Sequence, residues 1–149
     1  PLATIRCDGA NGFVYDELTT LSQPNVEKNI NQIKNWLGIT SLTADQLEEI
    51  RDAWIVCIGI HELAHVQYYS EQMPNQCKGC ACNAAPVPTT KDHCISTEKE
   101  AYNLELDCLL DESHIDGTGI KSGTDSFNIW HEIALDRYRK IKVKQFGCT

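Results

Sequence analysis

A mainly helical α+β fold is predicted by three features of the sequence. Four stretches carry apolar residues at helical spacing, a short N-terminal stretch alternates apolar and polar residues about a glycine-rich turn, and a loop dense in cysteine and proline interrupts the helical pattern midway. With 149 residues, 42% of them hydrophobic, the chain can bury one ordinary core and is too short for two typical domains. Residues 1–149 are therefore read as a single compact domain.

The alternating stretch comes first. Ala3 to Cys7 and Phe13 to Asp16 flank Asp8-Gly9-Ala10-Asn11-Gly12, whose glycines permit a tight turn, and together they predict a β-hairpin. Pro24 then precedes Val26, Ile30, Ile33 and Leu37, the apolar face of a first helix, and Gly38 stands where helices commonly end. Thr43 and Gln46 match a capping box, in which each side chain satisfies the other's free backbone N–H. They open a long helix through Leu47, Ile50, Trp54 and Ile58 to about Tyr69. Thr97 and Glu100 repeat that pattern and predict a helix starting there, continuing through Ala101, Leu104, Cys108 and Leu109 towards Leu110. Gly117, Gly119 and Gly123 break the chain before a last helix, which begins near Asp125 and runs through Phe127, Trp130, Ala134, Tyr138 and Ile141. Arg137, Arg139, Lys140, Lys142 and Lys144 read as its solvated end, where cations suit the helix dipole.

A formal net charge of -8 leaves no basic footprint that could track a phosphate backbone, which argues against nucleic acid as a partner. No apolar run approaches the roughly 20 residues that cross a bilayer. The longest, Ala53 to Ile60, stops at a histidine and a glutamate, so no membrane span is expected. The chain begins at Pro1 without an initiator methionine or a signal peptide, which predicts processing from something longer. Eight cysteines, at positions 7, 57, 77, 80, 82, 94, 108 and 148, form an even set that suits disulfides and a secreted or periplasmic location. The competing reading takes Cys77, Cys80, Cys82 and Cys94 as four thiolates of a structural zinc site. Pro74, Asn75, Gly79, Pro86 and Pro88 favour the disulfides, because a loop without regular structure or core needs a covalent staple.

The chemistry is concentrated in His61-Glu62-Leu63-Ala64-His65. Histidines four apart on a helix share a face and can reach one ion, and the glutamate beside the first is placed to take a proton from the metal's water. A helical wheel sets His61 and His65 in the stripe of Trp54, Ile58 and Tyr69, facing inward, with Glu62 on the flank. Ile55, Val56, Ile60, Leu63, Ala64 and Val66 make this helix apolar nearly all round, which predicts a central, buried position. Two buried histidines and a glutamate without a metal or other partners would cost several kcal/mol.

A catalytic zinc takes three protein ligands and keeps a fourth position for water. On the helix after the cysteine loop, the apolar arc is centred near Glu98 and Glu105, whereas Glu100, Asp107 and Glu112 point away. Glu98 and Glu105 are thus the candidates for a third ligand on that helix, and Asp125, in Gly123-Thr124-Asp125, is the one that a resemblance to aspartate-liganded enzymes would imply. His61-Glu62-Leu63-Ala64-His65 followed by Glu98-Lys99-Glu100-Ala101 resembles the glutamate-liganded zincins, in which a glutamate on a following helix, often in an E-x-x-A setting, completes the site. That resemblance implies Zn2+ held by His61, His65 and Glu98 in a zincin-like domain. Thr97 and Tyr102 stand where thermolysin-like enzymes have asparagine and aspartate, and Tyr68 and Glu71 replace the glycine and histidine of the metzincin pattern.

The expected function is zinc-dependent hydrolysis of a peptide bond in a protein or peptide substrate, with Glu62 as general base. Of His131, Tyr102, His114 and His93, His131 is the first candidate for a donor to the developing oxyanion. The small size, truncated start and motif layout are similar to metallopeptidase toxin domains of bacterial effectors. That likeness implies a cognate inhibitor or immunity protein as a partner and leaves a peptidoglycan cross-link as an alternative substrate. The reading from a different class is a disulfide-stapled binding module with a structural metal.

Overall fold

The side chains of Thr43 and Thr90 cap two of the helix starts, one of them away from its expected position. The computed structural model describes residues 5–15, 22–78, 90–143 and 146–148. It contains strands β1 (Ile5–Cys7) and β2 (Phe13–Tyr15), helices α1 (Ser22–Trp36), α2 (Ala44–Gln72), α3 (Lys91–Leu110) and α4 (Asp125–Val143), and a short 3-10 turn at Glu112–His114. This is the mainly helical α+β arrangement that the sequence predicts. The outer hairpin residues Ala3 and Asp16, most of the cysteine loop with Cys80 and Cys82, and Lys144 lie outside the described residues.

Gly38 adopts a φ of 73°, which a side chain would resist. The turn it makes lets Ile39 N–H donate to the Lys34 carbonyl at 3.0 Å and Gly38 N–H to Asn35 at 3.1 Å, closing α1 in a Schellman motif. At the start of α2 both bonds of the capping box form, Gln46 N–H to Thr43 Oγ1 at 3.1 Å and Thr43 N–H to Gln46 Oε1 at 2.9 Å. The departure is α3. Thr90 caps it, accepting from His93 N–H at 3.2 Å, so the helix begins about two turns before Thr97. Thr97 satisfies the local pattern of a cap, but its hydroxyl is used across the helix pair, and Glu98 lies in the helix interior and not in its first turn.

α2 packs against α1, α3, α4 and both strands. Ile30, Ile50, Trp54, Ile120, Ile129 and Ile133 fill the core between the helices, each at most 2% exposed. The position of α2 is central, yet its burial is incomplete. Val56 and Leu63 are 50% and 55% exposed, so one face of the helix meets solvent, contrary to the expectation of burial all round.

Two three-residue strands are too small to stand alone. Cys7 and Phe13, paired across the antiparallel register, turn their side chains onto Tyr69 and Cys77, and a Cys7–Cys77 disulfide fastens the hairpin near the end of α2. Two further disulfides, Cys57–Cys108 and Cys94–Cys148, tie α2 to α3 and α3 to the C-terminal segment. No described cysteine is free. The four-thiolate zinc alternative fails, because Cys77 and Cys94 are consumed by different partners.

Candidate metal centre

α2 and α3 run antiparallel, as cross-pairs with rising numbers on one and falling numbers on the other show: Cys57 with Cys108, His61 with Glu105, His65 with Thr97, and Tyr68 with His93. This register brings the two histidines over Glu98. The Nε2 atoms of His61 and His65 are 3.1 Å apart. Glu98 Oε2 lies 3.6 Å from His61 Nε2, and Oε1 lies 3.6 Å from His65 Nε2. Two atoms about 2.0–2.1 Å from one tetrahedral zinc are roughly 3.3 Å apart, so these separations match a shared ion. His61, His65 and Glu98 form a group that could hold a metal ion.

Each histidine is also held from behind. His65 Nδ1 is 2.7 Å from the Thr97 hydroxyl, and His61 Nδ1 is 2.9 Å from Glu105 Oε1, a close contact that lacks the angle of a good hydrogen bond. Partners of this kind fix the ring and leave Nε2 free for a metal. Glu105 is thus brought to His61, but on the opposite ring nitrogen from Glu98. Its other oxygen accepts from Arg137 Nε at 2.7 Å and from the Trp54 indole N–H at 3.1 Å. Burial alone would raise the Glu105 carboxyl, yet His61 and Arg137 outweigh it and hold the group below the usual carboxylate range.

Similar competition separates the histidines. Burial would lower His61, but the carboxylates of Glu105 and Glu98 push it up to about 9 in the metal-free protein. His65 is lowered to about 4 by burial, which the Glu98 charge only partly offsets. Glu62 is half-buried beside this cluster. Burial raises its carboxyl, with His61 opposing and Glu98 and Glu105 reinforcing the shift. Tyr102 meets the His61 ring edge-on at 4.6 Å, and its hydroxyl is pushed up to about 12, chiefly by burial. Phe146 stacks on the same tyrosine at 5.6 Å.

His131 is not brought to this group. It is exposed on α4, stacked on Phe127 at 6.3 Å, and lines an open groove with Gly38, Ser41, Asp125, Asn128 and Glu132. The wheel places it at the edge of the apolar stripe, and the structure turns that edge to solvent. Asp125 shares the groove and lies outside the ligand group. His93 bonds Tyr68, and His114 faces Asp111. Arg137 is the main addition to the predicted set. It is 8% exposed and paired with Glu105, which corrects its assignment to the solvated basic end of α4. Its spacing after Trp130, Ile133 and Ala134 continues the buried stripe and is the signal that marks it.

Compared with models of protein families, with curated proteins and with solved structures, the chain matches none.

Proposed function

We propose that this chain is a zinc-dependent peptidase acting in a secreted or periplasmic setting, with its centre between α2 and α3. The observation that carries this reading is the convergence of His61, His65 and Glu98 beside a further carboxylate, Glu62, that is not in the ligand group. Three ligands of these types suit a catalytic zinc, whereas a structural site takes four and needs no base at its edge. Zinc held by His61, His65 and Glu98 would supply Lewis acidity to the scissile carbonyl and the attacking water. Glu62 takes the proton from that water and returns it to the leaving amine. Tyr102, whose ring meets His61 edge-on at 4.6 Å, replaces His131 as the candidate donor to the oxyanion. The resemblance to glutamate-liganded zincins agrees with this ligand set. The three disulfides among the described residues suit an oxidising compartment, and none of the described helices is long and apolar enough to cross a membrane.

The substitution Glu62→Gln tests the proposal, since it preserves volume and removes the base. The variant is expected to fold, retain zinc and lose about 10²–10⁴-fold in turnover on a protein, peptide or cell-wall fragment that the wild type cleaves. Full zinc occupancy with wild-type turnover would refute the mechanism and favour a binding module with a structural metal.

A further inference from the structure

Resting on the reading of α2 and α3 as a metal centre, we infer that Arg137 is a positioning residue of that centre, acting through Glu105 to hold the His61 ring with Nε2 towards the ion. Glu105 and Arg137 are 2% and 8% exposed. Burying such a pair carries a large desolvation cost for each ion, and well-packed apolar replacements are often as stable or more so. Core packing alone does not explain the pair, but orientation does.

The two carboxylate oxygens of Glu105 divide their contacts. Oε2 receives Arg137 Nε at 2.7 Å and Trp54 Nε1 at 3.1 Å, while Oε1 faces His61 Nδ1 at 2.9 Å. Two donors on one oxygen prevent the carboxylate from turning. A carboxylate charge 2.9 Å from Nδ1 favours the ring proton on that atom, which leaves the Nε2 lone pair for metal. The guanidinium is itself held, 5.3 Å from the centre of the Trp54 ring and 5.5 Å from that of Tyr102, with Asp136 accepting from Nη1. Arg137 therefore contacts Glu105 and Tyr102, the two groups that bracket His61. A lysine would keep the charge without the planar, stacked donor.

The test is zinc affinity, measured by chelator competition on the intact disulfide-bonded chain, with folding checked by circular dichroism. Wild type is compared with Arg137→Lys, Arg137→Met, Glu105→Gln and the double variant Glu105→Gln/Arg137→Met. Partners of metal-binding histidines typically contribute about 10–100-fold in affinity. Arg137→Met is expected to weaken zinc by about tenfold or more, with Arg137→Lys in between. In the Glu105→Gln background the same change should cost less than about twofold, because the route through Glu105 is already cut. Losses that multiply in the double variant would overturn the inference, as would native affinity in a folded Arg137→Met chain. If Arg137→Met does not fold, Arg137→Lys carries the comparison: weakening that disappears in the Glu105→Gln background supports the inference, and equal weakening in both backgrounds overturns it. A wild-type chain that binds no zinc overturns the metal centre and this inference together, whereas zinc binding that is indifferent to Arg137 overturns the inference alone.

Discussion

Removing the Glu98 carboxylate should empty the metal centre, while removing that of Glu100 should not. Side chains two residues apart on a helix point about 200° apart. Glu98 reaches both histidines at 3.6 Å, and Glu100 is exposed. Zinc held by four ligands in a structural site contributes about 10–16 kcal/mol, or roughly 2.5–4 kcal/mol per ligand. Loss of one ligand from three should therefore weaken zinc by about 10²–10³-fold. Glu100→Ala, at an exposed helical position, should change stability by no more than about 0.5 kcal/mol and leave affinity within about twofold. Competition with a chromophoric chelator near neutral pH measures both variants. The metal-free Glu98→Ala chain should keep its helical circular dichroism, because both histidines retain their Nδ1 contacts. Zinc affinity within tenfold of wild type in Glu98→Ala, or its loss in Glu100→Ala, would show that the ligand assignment is wrong.

Thr97→Val keeps the side-chain shape but leaves His65 Nδ1 without its partner at 2.7 Å. It should weaken zinc by about tenfold and the metal-free fold by about 1–3 kcal/mol, read by chelator competition and chemical denaturation. Unchanged affinity would remove Thr97 from the centre. Zinc uptake near neutral pH should release about one proton, because His61, at about 9, is protonated in the metal-free chain and His65, at about 4, is already neutral. The release should fade as pH rises through about 9, and below that the affinity should drop roughly tenfold per pH unit. Calorimetry in buffers of different ionisation enthalpy counts the protons, and no release at neutral pH would contradict the charge assigned to His61. Tyr102→Phe should cost about 10²-fold in turnover with zinc retained, whereas His131→Ala should leave turnover within about twofold. The reverse ranking would return the donor role to His131.

The candidate ligands are legible in the sequence because helical geometry alone puts His61 and His65 on one face, whatever the helix packs against. The apolar arc of α3 likewise marks Glu98 and Glu105 as its inward carboxylates. Choosing between them depends on the slide of α3 along α2, a tertiary quantity that no local pattern encodes, and both in fact face His61 from opposite ring nitrogens. Thr97 misleads because a capping box and a helix-interior threonine with a glutamate three residues on have the same spelling. Arg137 is obscured by the basic residues that follow it, although it continues the stripe of Ile133 and Ala134. The disulfide partners are illegible for a simpler reason: Cys57 and Cys108 are separated by 51 residues and meet only after the helices pair.

The Cys57–Cys108 bond lies one helical turn from His61 on α2 and one from Glu105 on α3. By limiting how far the helices can part, it raises the effective concentration of each helix's ligands for the other. Reciprocity requires the converse: whatever factor the covalent link lends to ion binding, a bound ion lends to the link's resistance to reduction. A zinc-loaded chain would thus pass intact through reducing conditions that unlock an empty one, and a chain unlocked there would release its ion more readily. The thiol poise of the surroundings and their supply of metal would therefore act on such a centre as coupled variables.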